Sequence, residues 1–128
     1  MSEKEEKARN LLEKMREERG WVPDYLKFLI LEAPDWVERY NLFFTYTFNM
    51  PALPAKYKHL VWCATSLMDQ NDLSLRVHAR EALNAGAKPE ELLETLFITV
   101  FHSGIGKLLN KIHVIEEVLK EFKEKQKI

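Results

Sequence analysis

Apolar residues recur at three- and four-residue intervals along almost the whole chain, and no segment sustains the alternation of a half-buried strand. Ala8, Leu11, Leu12 and Met15 mark a first amphipathic helix that closes near Gly20. Pro23 suits a first helical turn, so Tyr25 to Leu31 read as a short second helix. Pro34 opens a third, which carries Trp36, Tyr40, Phe43, Phe44, Tyr46 and Phe48. Pro51 and Pro54 cannot both sit inside a helix, so Met50 to Pro54 is a loop.

A fourth helix follows from about Ala55 to Met68, and Asn71 or Asp72 caps a fifth that ends at Gly86. Pro89 with Glu90 and Glu91 starts a sixth, its acids beside the positive end of the helix dipole. Leu92, Leu93, Leu96, Phe97, Val100 and Phe101 predict a buried stripe on it. Gly104-Ile105-Gly106 breaks the chain before a seventh helix bearing Leu108, Leu109, Ile112, Ile115, Val118, Leu119 and Phe122. The expected fold class is therefore all-α, with about six to seven helices. Residues 1–19 form an N-terminal amphipathic helix, 20–124 the main helical domain, and 125–128 a solvated C-terminal end. The Lys120 to Lys127 run is the polar end of the last helix.

A length of 128 residues suits one core, and 46% hydrophobic with 30% charged residues is a soluble globular balance. The net charge of −1, with acids and bases interleaved, gives no reason to expect nucleic acid as a partner. No segment reaches the roughly 18 apolar residues of a membrane span. The charged start, Ser2 to Lys7, has no apolar run behind it, so a cytoplasmic location is expected, with no membrane partner. Cys63 stands alone, which excludes an internal disulfide or thiol pair.

Several short motifs occur in a shared register. They are Gly20-Trp21-Val22-Pro23, Ala33-Pro34, Leu53-Pro54-Ala55-Lys56 and the segment from Asn71 to Leu92 with His78, Gly86-Ala87 and Pro89-Glu90-Glu91. Over about Gly20 to Leu119 the chain resembles the carboxymuconolactone decarboxylase family, which includes the alkylhydroperoxidase-D-like proteins. The resemblance implies a helical fold built on hairpins and a homo-oligomer, commonly a trimer or a hexamer. The aromatic third helix agrees with such an assembly, although its rings could equally fill the core of one chain.

Three departures from the family pattern stand out. Its redox branch carries two cysteines where this chain has Asn71 and Ser74, ahead of the histidine at His78. A family glutamate that relays protons is replaced by His59, twelve residues before Asn71. Gly104-Ile105-Gly106-Lys107 stands where a Gly-x-Pro often follows the sixth helix. Asn and Ser can neither attack a peroxide nor resolve a sulfenic acid.

Asn71, Ser74 and His78 share one face of the fifth helix, and His59, Trp62, Cys63 and Ser66 share one of the fourth. If these faces meet, His78, His59 and Ser74 are the candidate catalytic residues, with Trp62, Cys63 and Asn71 lining the substrate site. Paired imidazoles can act as acid and base near neutral pH. Each residue also has a plainer reading. A histidine can be a hydrogen-bonded core residue, Ser74 a backbone-bonded serine, Asn71 an N-cap and Cys63 a small buried apolar group. His102 and His113 read as surface or interface histidines.

His59, Cys63 and His78 could together ligate a metal, but the spacing lacks a metal-binding motif and no metal or other cofactor is expected. Three functions remain open. One is a non-redox acid/base enzyme of decarboxylase type acting on a small carboxylated molecule, with Lys56, Lys58 or Arg76 to orient the carboxylate. The second is peroxide reduction of the peroxiredoxin kind through Cys63. The third is a non-catalytic, ligand-binding or scaffold oligomer.

Overall fold

A computed structural model of the protein describes residues 1–127. All of its regular elements among the described residues are helices: α1 (Glu3–Arg19), α2 (Asp24–Glu32), α3 (Pro34–Phe48), α4 (Ala55–Met68), α5 (Asp72–Asn84), α6 (Pro89–Ser103) and α7 (Ile105–Gln126). Of the expected polar end at 125–128, Lys125 and Gln126 belong to α7, whereas Ile128 lies outside the described residues. The chain divides into two compact units, Met1–Met50 and Pro51–Ile128, so the helical domain expected over 20–124 draws on both. None of the helices among the described residues is long and apolar enough to cross a membrane.

In the first unit, the Ser2 hydroxyl caps α1 by accepting the Glu5 N–H at 3.1 Å. Gly20 ends it with φ of 76°, a left-handed value that costs glycine nothing. Ala8, Leu11 and Met15 of α1 pack with Leu26 and Ile30 of α2 and Val37 of α3. Among these apolar groups lies Asn41, only 2% exposed. Its amide oxygen accepts from Arg19 at 2.7 Å and its nitrogen donates to Glu18 at 3.3 Å, which satisfies a buried polar group.

The aromatic rings of α3 do not fill this core. Trp36, Tyr40, Phe43 and Tyr46 are exposed, and only Phe44 and Phe48 are half-buried. The cause is angular. Pro34, Val37 and Asn41 define the inward side of α3, and Trp36, Tyr40 and Phe43 repeat with the same spacing on another.

The second unit is built on the α4–α5 hairpin, with α6 and α7 packed against it. Leu60, Cys63 and Leu67 of α4 meet Leu75, Ala79, Ala82 and Leu83 of α5, and Leu92, Leu96, Val114, Ile115 and Val118 complete the core. Each fully buried leucine among them contributes about 2 kcal/mol of transfer free energy. The small side chains Ala79 and Ala82, both 0% exposed, let α5 approach its neighbours closely.

Polar contacts fix the register of this unit. Gln70, at the hairpin turn with φ of 57°, donates to the carbonyls of Leu67 and Lys107 at 2.8 and 2.9 Å. Lys107 returns a bond to the Met68 carbonyl at 2.9 Å. Arg76 and Arg80 each pair with a carboxylate of α7, Glu117 and Glu121, at 3.0 Å.

The stripe expected on α6 is only partly buried. Leu92 and Leu96 are inside, but Phe97 is exposed and Phe101 is 93% exposed. On α7, Leu109 and Ile112 likewise face outward while Leu108, Ile115 and Val118 are buried. At 100° per residue Phe97 and Phe101 fall well away from the Leu92–Leu96 line.

Candidate active site

Helix periodicity brings α4 and α5 together with their chemical faces in contact. His59 and His78 meet Nδ1 to Nδ1 at 3.1 Å, with ring centroids 5.3 Å apart. The Trp62 indole lies on the His78 ring, centroids 3.6 Å apart and planes 15° from parallel. His59 is buried, and His78 and Trp62 are half-buried.

A hydrogen bond between two Nδ1 atoms has a direct consequence for tautomers. One ring must carry its proton on Nδ1, which leaves its Nε2 bare; the other must present a bare Nδ1 and an Nε2–H. The neutral pair therefore holds one basic nitrogen and one further N–H donor at the same time. That is an acid/base device contained within a single hydrogen-bonded unit.

Burial sets its charge. Desolvation pushes the His59 imidazole below its usual range, opposed by the charge of Glu81. Desolvation, reinforced by the neighbouring His59, pushes His78 down to about 4. The titration near neutrality expected of free imidazoles is thus displaced, and the resting pair is neutral at pH 7.

This has a measurable effect on stability. The unfolded chain titrates His78 near the ordinary value of about 6.5, so between there and about 4 it binds more protons than the folded chain. The contribution is complete above about pH 6.5 and is lost as pH falls towards 4. Melting temperature should drop across that window in the wild type and drop less in His78→Gln. Parallel melting profiles for the two proteins would refute the assignment.

The remaining site candidates sort differently. Ser74 Oγ lies 2.6 Å from Ser66 Oγ, one hydroxyl donating to the other. Ser74 is accordingly not bonded to either imidazole, and the base that would make it a nucleophile is directed elsewhere. Asn71 is the α5 N-cap, its Oδ1 accepting the Ser74 N–H at 3.0 Å. Lys56 and Arg76, expected to orient a carboxylate, are instead engaged by Glu91 at 3.2 Å and Glu117 at 3.0 Å. Lys58 is half-buried one residue before His59. His102 and His113 are both exposed, as expected.

Cys63 is fully buried, and desolvation pushes its thiol up to about 12. Thiolate is the reactive form, so burial disfavours peroxide attack by this sulfur at neutral pH. A thiol reagent at pH 8 should label Cys63 only after denaturation; rapid labelling of the native protein would contradict its burial. Among the described residues no three His, Cys, Asp or Glu side chains are grouped to hold a metal ion. The sequence placed Ser66 on the site face of α4 without giving it a role, and it gave no sign of Glu81. Ser66 as the partner of Ser74 needed the helix pairing.

The carboxymuconolactone decarboxylase family model matches residues 34–117, about two thirds of the chain. The chain belongs to the carboxymuconolactone decarboxylase family. The matched span runs from the start of α3 into α7 and contains every candidate residue of the site. A crystal structure of a candidate carboxymuconolactone decarboxylase from Burkholderia xenovorans LB400 superposes with a TM-score of 0.83. It is 22% identical, and the match covers 93% of this chain and 96% of that one. At that identity the likeness establishes the family fold. No curated protein matches the chain significantly.

Proposed function

We propose that the protein is a non-redox acid/base enzyme of decarboxylase type, acting on a small carboxylated molecule. The observation that carries this is the Nδ1-to-Nδ1 contact of His59 and His78 at 3.1 Å, stacked against Trp62. Loss of CO2 breaks a carbon–carbon bond and leaves its electron pair on carbon as an enolate. That carbon must then take a proton. Imidazolium is the donor, and the neutral imidazole returns to its partner.

A neutral resting pair fits this sequence through the substrate's own charge. A carboxylate brought within about 4–6 Å of His78 favours the imidazolium form, so an anionic substrate draws in the proton that the reaction later consumes. Loss of CO2 moves that charge onto the nascent carbanion, which takes the proton from the imidazolium and leaves the pair neutral again. Trp62 supports the charged intermediate, since an indole face attracts a cation. Ser74 and Cys63 take no step in this chemistry.

Homo-oligomerisation belongs to the same proposal and is supported by the exposed rings of α3 and the outward apolar residues of α6 and α7. CO2 release from a carboxylated lactone, followed with proton uptake, tests the enzymatic reading. One proton consumed per CO2 agrees with it. Absence of CO2 release across a panel of carboxylated lactones overturns it.

A further inference from the structure

We infer that α6 is a self-association face, on which a second copy of this chain packs its own α6 antiparallel about Ile98. This rests on the oligomerisation proposed above and specifies its surface. Helix α6 is apolar on almost every side. Leu92 and Leu96 face the core of the second unit, yet Phe97 is 49%, Ile98 65% and Phe101 93% exposed. A helix with apolar residues all round is normally buried all round.

At the start of α7, which packs against α6, Ile105, Leu109 and Ile112 are exposed as well. With an open aromatic side chain presenting roughly 200 Å², the six residues together expose on the order of 700 Å². That approaches the roughly 800 Å² each partner gives to a stable interface. The exposed stripe of α3 is the rival surface, but it carries the hydroxyls of Tyr40 and Tyr46 and is flanked by Glu38 and Arg39.

Charge favours a second copy over an unrelated partner. Glu94 and His102 are exposed and lie four residues on either side of Ile98. An antiparallel crossing centred on Ile98 sets each Glu94 carboxylate against the imidazole of the other copy's His102, twice by symmetry. The same crossing packs the phenyl rings of Phe97 and Phe101 into the neighbouring helix.

Light-scattering mass across a concentration series tests the surface. The wild type should be a multimer, Phe101→Leu should keep that mass, and Phe101→Glu should fall to a smaller species with an unchanged helical spectrum. His102→Glu, which faces acid with acid, should raise the concentration for half-dissociation at least tenfold. Retention of the wild-type mass by Phe101→Glu, or unchanged dissociation of His102→Glu, overturns the face while leaving self-association intact. A monomeric wild type at high micromolar concentration overturns both.

Discussion

If the protein is the proposed decarboxylase, replacing His78 with asparagine should lower kcat about 100- to 10,000-fold, the usual contribution of a positioned acid/base group, and leave the melting temperature close to wild type. Asparagine is chosen because its amide occupies the space of the imidazole Nδ1 edge and preserves a hydrogen bond to His59 Nδ1. It cannot carry a proton between states. Alanine is a harsher variant: it leaves the buried His59 nitrogen without its partner, at a cost of about 1–3 kcal/mol, and mixes chemistry with stability. The pair of variants separates the two effects. Turnover of His78→Asn at the wild-type rate would end the acid/base assignment and leave the scaffold reading in its place. A loss confined to KM would mean that His78 binds substrate without transferring a proton.

The meeting of α4 and α5 was legible in the sequence because it depends on spacing alone. His59, Trp62, Cys63 and Ser66 repeat at intervals of three and four, as do Asn71, Ser74 and His78. Two helices joined by the short turn at Gln70 must then pair, and the family register fixes which faces oppose. The charge state of the pair was not legible. It follows from how much water the folded protein removes from each ring, and that is a property of packing.

Ion-pair partners were hidden for a similar reason. Arg76 reads as an available cation until Glu117, 41 residues away, is folded against it. Lys56 is likewise committed to Glu91.

The outward rings of α6, which the sequence predicts to be buried, have a different physical cause. A periodicity argument needs polar residues to mark the solvent side, and α6 offers few between Leu92 and Phe101. With apolar groups on nearly every side, the phase of the helix is set by tertiary contact. Phe97 and Phe101, expected inside, are thus outward residues of the proposed self-association surface.

Replacing Leu75 with alanine should destabilise the protein by about 2–5 kcal/mol, the range for a leucine cut from a well-packed core. Leu75 is 0% exposed and sits against α4 and α7 residues of the second unit's core, so the cavity has little freedom to collapse. Leu73, two residues earlier and 40% exposed, is the control, and its alanine variant should lose far less. The decisive comparison is with turnover. Leu75 packs into the core and makes no contact of the imidazole pair's kind, whereas His78, one turn on, carries the hydrogen bond to His59. Activity per folded molecule should therefore survive Leu75→Ala, just as stability survives His78→Asn. Chemical denaturation followed by circular dichroism, with kcat measured well below the transition, gives both numbers from one preparation. A Leu75→Ala protein that is as stable as wild type would refute the packing described for α5. One that is folded but inactive would show that the imidazole pair depends on core packing more tightly than a 3.1 Å contact between adjacent helices requires.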